Sequence, residues 1–86
     1  MKTRSELTQL FTSMRQAFRD FMTIPEVTSD KFLDLFDKGV TAVSEITKEE
    51  DPSRVGNIVY DLMVSEAARQ RFYNQHNVAW SSVFTC

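Results

Sequence analysis

The segment from residue 29 to residue 48 carries a wide apolar stripe, and this stripe constrains the fold more than any other feature of the sequence. On a helix of 3.6 residues per turn, the stripe covers about half the circumference. Its members are Phe32, Leu33, Leu35, Phe36, Val40, Ala42, Val43 and Ile46. A helix that packs on one neighbour needs a stripe of only about 100°. The wider stripe predicts a helix that packs between two neighbours and leaves one face to water.

Gly39 and the polar face of this segment predict specific contacts. Gly39 lies in the middle of the stripe, where glycine costs about 1 kcal/mol of helix stability relative to alanine. We therefore expect Gly39 to allow close approach by another backbone. On the opposite face, Asp34 and Lys38 are four residues apart, which predicts a surface ion pair.

Residues 3–23 form the first predicted helix. Thr3 followed by Glu6 has the spacing of a capping box. Apolar side chains then recur every three or four residues, at Leu7, Leu10, Phe11, Met14, Ala17, Phe18, Phe21 and Met22. Pro25 disfavours helical geometry at Ile24, so the helix should end there or just before. The short connector to the next helix favours an antiparallel hairpin.

Two arginines on the first helix suggest an anionic neighbour. Arg15 and Arg19 are four residues apart, so they repel each other slightly unless an anionic group lies between them. One interpretation is a solvated face on which the arginine stems cover the edge of the apolar stripe. The other is a docking site for a carboxylate-rich partner, and the acidic second helix of this protein meets that description.

A third helix is predicted over residues 52–74. Asp51 can cap it, and Pro52 suits its first position, where a missing N–H costs nothing. In the second half of this helix, Glu66 and Arg69 interrupt the apolar stripe. These two residues are three apart, and they either form a buried ion pair or are both solvated because the helix extends past the bundle.

Tyr60, Val64 and Ala67 form an apolar strip on the outer face of the third predicted helix. Exposed apolar strips of this kind mark contact surfaces. The alternative is that the C-terminal segment covers the strip.

Together these segments predict an all-α fold. We expect a single helical domain over residues 1–86, with three long amphipathic helices in an up-down-up bundle. The C-terminal segment around Trp80 is predicted to be a lid on the bundle, either as a short fourth helix capped by Asn77 or as an ordered tail. The predicted core consists of Leu7, Leu10, Met14, Phe18, Phe21, Phe36, Val40, Val43, Val55, Ile58, Val59 and Leu62.

The chain offers few groups for catalysis or metal chemistry. His76 and Cys86 are the only histidine and the only cysteine, which is too few for a tetrahedral zinc site. A cysteine at the chain end is also difficult to hold in reach of a base. We therefore expect no enzymatic activity, no cofactor and no metal. One cysteine indicates a reducing, cytoplasmic setting, and no apolar run is long enough to span a membrane.

Charge and side-chain composition favour protein binding. Residues 26–51 carry eight acidic and three basic side chains, which argues against a protein that wraps duplex DNA. Seven Phe, two Tyr, one Trp and four Met are residue types enriched in protein interfaces. We expect a small adaptor, inhibitor or regulatory subunit that binds another protein and forms a homodimer. The alternative is a nucleic-acid-binding regulator with arginine-bearing helices. The candidate partner-binding residues are Arg15, Arg19, Tyr60, Val64, Ala67, Glu66 and Arg69.

Overall fold

The structure, a computed structural model, describes residues 2–80 and is all-α, as predicted. Its four helices are α1 (Arg4–Thr23), α2 (Asp30–Thr47), α3 (Pro52–Val64) and α4 (Glu66–Gln75). Helix α2 packs against both α1 and α3, as its wide stripe predicts, and α3 also contacts α1 and α4. The helices therefore form a compact bundle.

Local sequence signals set three of the helix ends. The capping box is confirmed, because the Glu6 N–H donates to Thr3 Oγ1 at 3.2 Å and the Thr3 N–H donates to Glu6 Oε1 at 2.9 Å. Helix α1 ends at Thr23, with Ile24 in an extended conformation. Asp51 caps α3 by accepting a hydrogen bond from the Ser53 N–H at 2.9 Å.

The prediction of one continuous helix over residues 52–74 is wrong, because the chain leaves helical geometry at Ser65. This residue is extended, with φ −129° and ψ 118°, and it ends α3 and begins α4. Its hydroxyl accepts a hydrogen bond from the Ala68 N–H at 3.1 Å. Serine side chains compete with the helix for backbone groups and favour the N-cap position, which is the position that Ser65 takes here.

Arg69, a residue of α4, stabilises the break between α3 and α4. It is 7% exposed, and its Nη1 donates to the carbonyl oxygens of Leu62 at 2.8 Å and of Met63 at 3.4 Å. These carbonyls belong to the last turn of α3, where no intrahelical donor is available. A positive charge at a helix C-terminus also interacts favourably with the helix dipole. Arg69 therefore caps α3.

Helices α1 and α2 form the predicted antiparallel hairpin, with Gly39 at its centre. A β-carbon built at Gly39 would lie 2.8 Å from Met14 Cε and 3.2 Å from Val59 Cγ1. The expected close approach is present, but it is made by side chains of α1 and α3 and not by another backbone. The absence of a side chain at Gly39 thus lets both neighbouring helices reach the surface of α2.

The core agrees with the predicted one in all but one position. Phe21 is 40% exposed, so its assignment to the core is wrong. The predicted residues that are fully buried are Leu7, Met14, Val43, Val55, Val59 and Leu62, and those that are half-buried are Leu10, Phe18, Phe36, Val40 and Ile58. Buried residues outside the predicted core include Phe11, Met63, Phe72, Tyr73 and Val78.

The chain after α4 turns back onto the start of α1. Asn77 has a positive φ of 51°, and the Val78 N–H donates to the Tyr73 carbonyl at 3.0 Å. This left-handed residue with its backbone hydrogen bond closes the C-terminus of α4, so Asn77 ends a helix where the sequence suggested that it begins one. Val78 is buried, and Trp80 is 74% exposed. The rest of the predicted C-terminal helix or tail, residues 81–86, lies outside the described residues.

The two glycines of the bundle provide a matched test of the packing at Gly39. A β-carbon at Gly56 would meet only Phe36 Cζ at 3.9 Å, an ordinary contact. We expect Gly56→Ala to raise the free energy of unfolding by up to about 1 kcal/mol through helix propensity. Gly39→Ala has the same gain in helix propensity, but its β-carbon would lie 2.8 Å from Met14 Cε and 3.2 Å from Val59 Cγ1, and overpacking costs about 1–3 kcal/mol. The free energy of unfolding of Gly39→Ala should therefore lie below that of Gly56→Ala. Urea denaturation measures both values, and equal stabilisation by the two variants would contradict the packing described here.

Arg69→Ala tests the cap on α3. The substitution leaves the Leu62 and Met63 carbonyls without their donor, and hydrogen bonds to a charged group contribute about 1.5–3 kcal/mol. We expect the free energy of unfolding to fall by about that amount. Arg71→Ala removes a neighbouring arginine that is exposed, and surface substitutions of this kind change stability by less than about 0.5 kcal/mol. A similar loss in both variants would show that the arginine charge, and not the cap, is responsible.

The capping box makes stability depend on pH. The hydrogen bond from the Thr3 N–H, followed by that with the Thr3 hydroxyl, lowers the pKa of the Glu6 carboxyl from its usual 4.5. Because the folded pKa lies below the unfolded one, the carboxylate contributes stability above pH 4.5 that is lost as the pH falls through the folded pKa. The midpoint of thermal unfolding should therefore fall more steeply between neutral pH and pH 3 in the parent than in Glu6→Gln. Glu26→Gln is the control for the change in net charge.

Candidate functional site

The closed end of the α1–α2 hairpin exposes a group of large apolar side chains. Phe21 is 40% exposed, Met22 64%, Ile24 42% and Leu33 56%. Within residues 2–80 these are four of the seven large apolar side chains that are exposed. We name this region, formed by these four residues, the hairpin-end surface.

Helix α3 packs on the α1–α2 hairpin and is shorter than either helix of the hairpin. Helix α1 has 20 residues and α2 has 18, whereas α3 has 13. At a rise of about 1.5 Å per residue, α1 is longer than α3 by roughly 10 Å. Phe21 lies on the apolar side of α1 as predicted, but no neighbouring helix covers it completely.

Half-buried aromatic rings underlie the exposed residues. The ring of Phe18 on α1 lies 5.1 Å from that of Phe32 on α2, and Phe32 lies 5.7 Å from Phe36. Tilted pairs at these distances are favourable, so the rings join the two helices at this end of the hairpin. Aromatic contacts therefore join α1 and α2 near the closed end of the hairpin.

Opposite charges flank the exposed apolar residues on the two helices. On α1, Arg15 and Arg19 precede Met22 by seven and three residues, which places all three on one helix face. Both arginines are exposed, and neither forms an ion pair with another residue of the range 2–80. The repulsion expected between them is therefore not relieved inside the fold. On α2, acidic residues surround Leu33, namely Asp30, Asp34 and Asp37.

The outer apolar strip is divided by the break at Ser65. Tyr60 is 53% exposed and Val64 41% exposed on α3, while Ala67 is exposed on α4. The described part of the C-terminal segment does not cover the strip, because the Ala79 carbonyl accepts a hydrogen bond from the Arg4 N–H at the start of α1. The strip remains a second exposed apolar surface.

The structure separates Glu66 from Arg69. Glu66 is exposed at the start of α4, whereas Arg69 is buried against the end of α3. The ion pairs within residues 2–80 join Asp34 with Lys38, and Arg54 with Glu49 and Asp51, so these two residues form none. Neither sequence interpretation is correct, since one member of the pair is buried and the other solvated.

Arg4 organises a contact that the sequence did not reveal. Its Nε donates to the Val78 carbonyl at 2.8 Å, and its Nη1 donates to Asn74 Oδ1 at 2.9 Å. Its guanidinium carbon lies 4.0 Å from the centre of the Trp80 ring, within the range of a cation–π interaction. Arg4 and Asn74 are 70 residues apart in the sequence, so no local pattern of residues predicts this contact.

A groove of about 570 Å³ lies beside this contact, between α1 and α4. The hydroxyl oxygens of Tyr73 and Thr8 are 2.8 Å apart and form a hydrogen bond at one side of the groove. Burial raises the pKa of Tyr73, and the hydrogen bond to Thr8 opposes the shift. The groove is lined by Arg4, Ser5, Thr8, Gln9, Thr12, Gln70, Tyr73 and Trp80.

The part of the chain that the structure describes, residues 2–80, contains no cluster of three His, Cys, Asp or Glu side chains arranged to hold a metal ion. The His76 ring packs against Phe72 at 4.5 Å between centres. None of the helices in this part combines the length and the hydrophobicity that crossing a bilayer requires.

Comparison of the chain with protein-family models, with curated proteins and with solved structures gives no match. The candidate site therefore rests on the geometry of the hairpin-end surface, the outer strip and the charges around them.

Proposed function

We propose that this chain is a small protein-binding module that acts through the hairpin-end surface. The observation that supports the proposal is the exposure of Phe21, Met22, Ile24 and Leu33 at one end of the bundle. Large exposed apolar patches bordered by polar residues are typical of protein interaction sites. Met and Phe are also enriched at such sites, because their flexible or aromatic side chains bury a large area on contact.

The arginines Arg15 and Arg19 fit the same role. Arginine is enriched in interfaces, where its guanidinium forms charge-assisted hydrogen bonds with carboxylates. Their position beside Met22 favours a partner that combines apolar and acidic side chains. Tyr60 and Val64 of the outer strip provide a second contact area for the same class of partner.

The proposed role is that of an adaptor, inhibitor or regulatory subunit without catalytic activity of its own. Its proposed setting is the cytoplasm, where a single cysteine remains reduced. The alternative role in nucleic-acid binding would depend on exposed arginines, and the burial of Arg69 removes one of those that the sequence offered.

A capture experiment tests the proposal. The tagged chain is incubated with an extract of the cells that encode it, and bound proteins are identified by mass spectrometry. We expect Met22→Asp and Leu33→Asp each to reduce capture at least tenfold, because a charge in the centre of an apolar interface must be desolvated. Ser13→Asp adds the same charge at an exposed polar position of α1 and should retain the partner.

Two outcomes would contradict this proposal. Capture that is unchanged in both apolar variants would exclude the hairpin-end surface, and Tyr60→Asp would then test the outer strip in the same assay. Capture that disappears after nuclease treatment of the extract would favour the alternative of nucleic-acid binding. Circular dichroism of each variant confirms that a loss of capture does not arise from unfolding.

A further inference from the structure

We infer that the hairpin-end surface binds a second copy of this chain, with α1 of each copy against α2 of the other. The inference rests on the proposed function and names the partner. Its basis is that the two helices of one hairpin carry complementary surfaces. Each copy therefore supplies both halves of the interface.

The α1 half of this surface is apolar and basic. Met22 is 64% exposed, and Arg15 and Arg19 lie on the same face at spacings of seven and three residues. Neither arginine has a carboxylate partner within residues 2–80. This half therefore suits an apolar surface that is bordered by carboxylates.

The α2 half is apolar and acidic. Leu33 is 56% exposed, and Asp30 and Asp37 lie three residues before it and four residues after it, on the same face of the helix. Asp34 pairs with Lys38 at 3.3 Å. Lys38 lies five residues from Leu33, and this spacing places it on a different side of α2. The edge that borders Leu33 is therefore acidic.

A second copy fits these two halves better than a uniformly charged partner does. A polyanion would meet the arginines of α1 but would be repelled by the aspartates of α2. In a two-fold dimer the same contact occurs twice, so Arg15 and Arg19 of each copy can face Asp30 and Asp37 of the other. The exposed Met22 and Leu33 then bury each other at the centre.

The first test is the mass of the purified full-length chain at increasing concentration, measured by light scattering coupled to size exclusion. The monomer mass is 10.0 kDa, and we expect the weight-average mass to rise toward twice this value. Leu33→Asp should raise the dissociation constant of the dimer at least tenfold. Ser13→Asp adds the same charge at an exposed polar position of α1 and should leave the dimer unchanged.

The second test exchanges the charges between the two halves. One variant carries Arg15→Glu and Arg19→Glu, and the other carries Asp30→Lys and Asp37→Lys. Each variant alone brings like charges together at both contacts and should remain monomeric. A mixture of the two restores opposite charges at both contacts, so we expect the mixture to form a heterodimer. Native mass spectrometry distinguishes the heterodimer from each homodimer.

Clear results would overturn the inference. A parent chain that stays at 10.0 kDa at every concentration would exclude the dimer, and a mixture that remains monomeric would exclude the pairing of α1 with α2. Circular dichroism shows whether Leu33→Asp folds, and the charge-exchange pair decides the question if it does not. A monomeric parent that still captures another protein through Met22 and Leu33 would reject self-association and leave the proposed function standing.

Discussion

The structure depends on the close contact of three helices at Gly39. Because this position has no side chain, Met14 of α1 and Val59 of α3 both reach the same point near the middle of α2. Two neighbouring helices then bury the wide apolar stripe of α2. A stripe that covers about half of the helix circumference needs two such neighbours. This contact also fixes where α3 lies along the hairpin. With 13 residues, α3 covers the part around Gly39 and leaves the closed end exposed.

Two arginines make a second set of connections, each at the C-terminus of a neighbouring helix. Arg69 of α4 donates to the carbonyls of Leu62 and Met63 at the end of α3, and Arg4 of α1 donates to those of Tyr73 and Val78 around the end of α4. Helix C-termini lack intrahelical donors for their last carbonyls and favour positive charge. These arginines therefore serve the fold. The exposed Arg15 and Arg19 have no such role within the described residues, and the proposed function assigns them to contact with a partner.

Helix caps and helix ends could be predicted from the sequence, but the lengths of the helices relative to one another could not. The capping box at Thr3, the end of α1 before Pro25 and the cap at Asp51 each depend on residues a few positions apart. The break at Ser65 also left a signal, because the apolar stripe loses its phase at that point. Glu66 and Arg69 lie in the arc that the apolar stripe of α3 would occupy if the helix continued. The start of a new helix at Glu66 explains their position better than an ion pair does. Phe21 shows the limit of the pattern, since periodicity gives the side of a helix that is apolar but not the length of the neighbour that covers it.

The same limit explains why the candidate surface had to be found in the structure. From the sequence, Met22 and Leu33 are ordinary members of two apolar stripes, and only the structure shows that they are exposed at the closed end of the hairpin. Their exposure does not weaken the centre of the core, because the contacts at Gly39 involve other residues. The contacts that hold the core and the surface proposed for binding therefore occupy different parts of the same two helices. Because of this separation, we expect substitutions at Met22 or Leu33 to test the proposed binding without removing the fold.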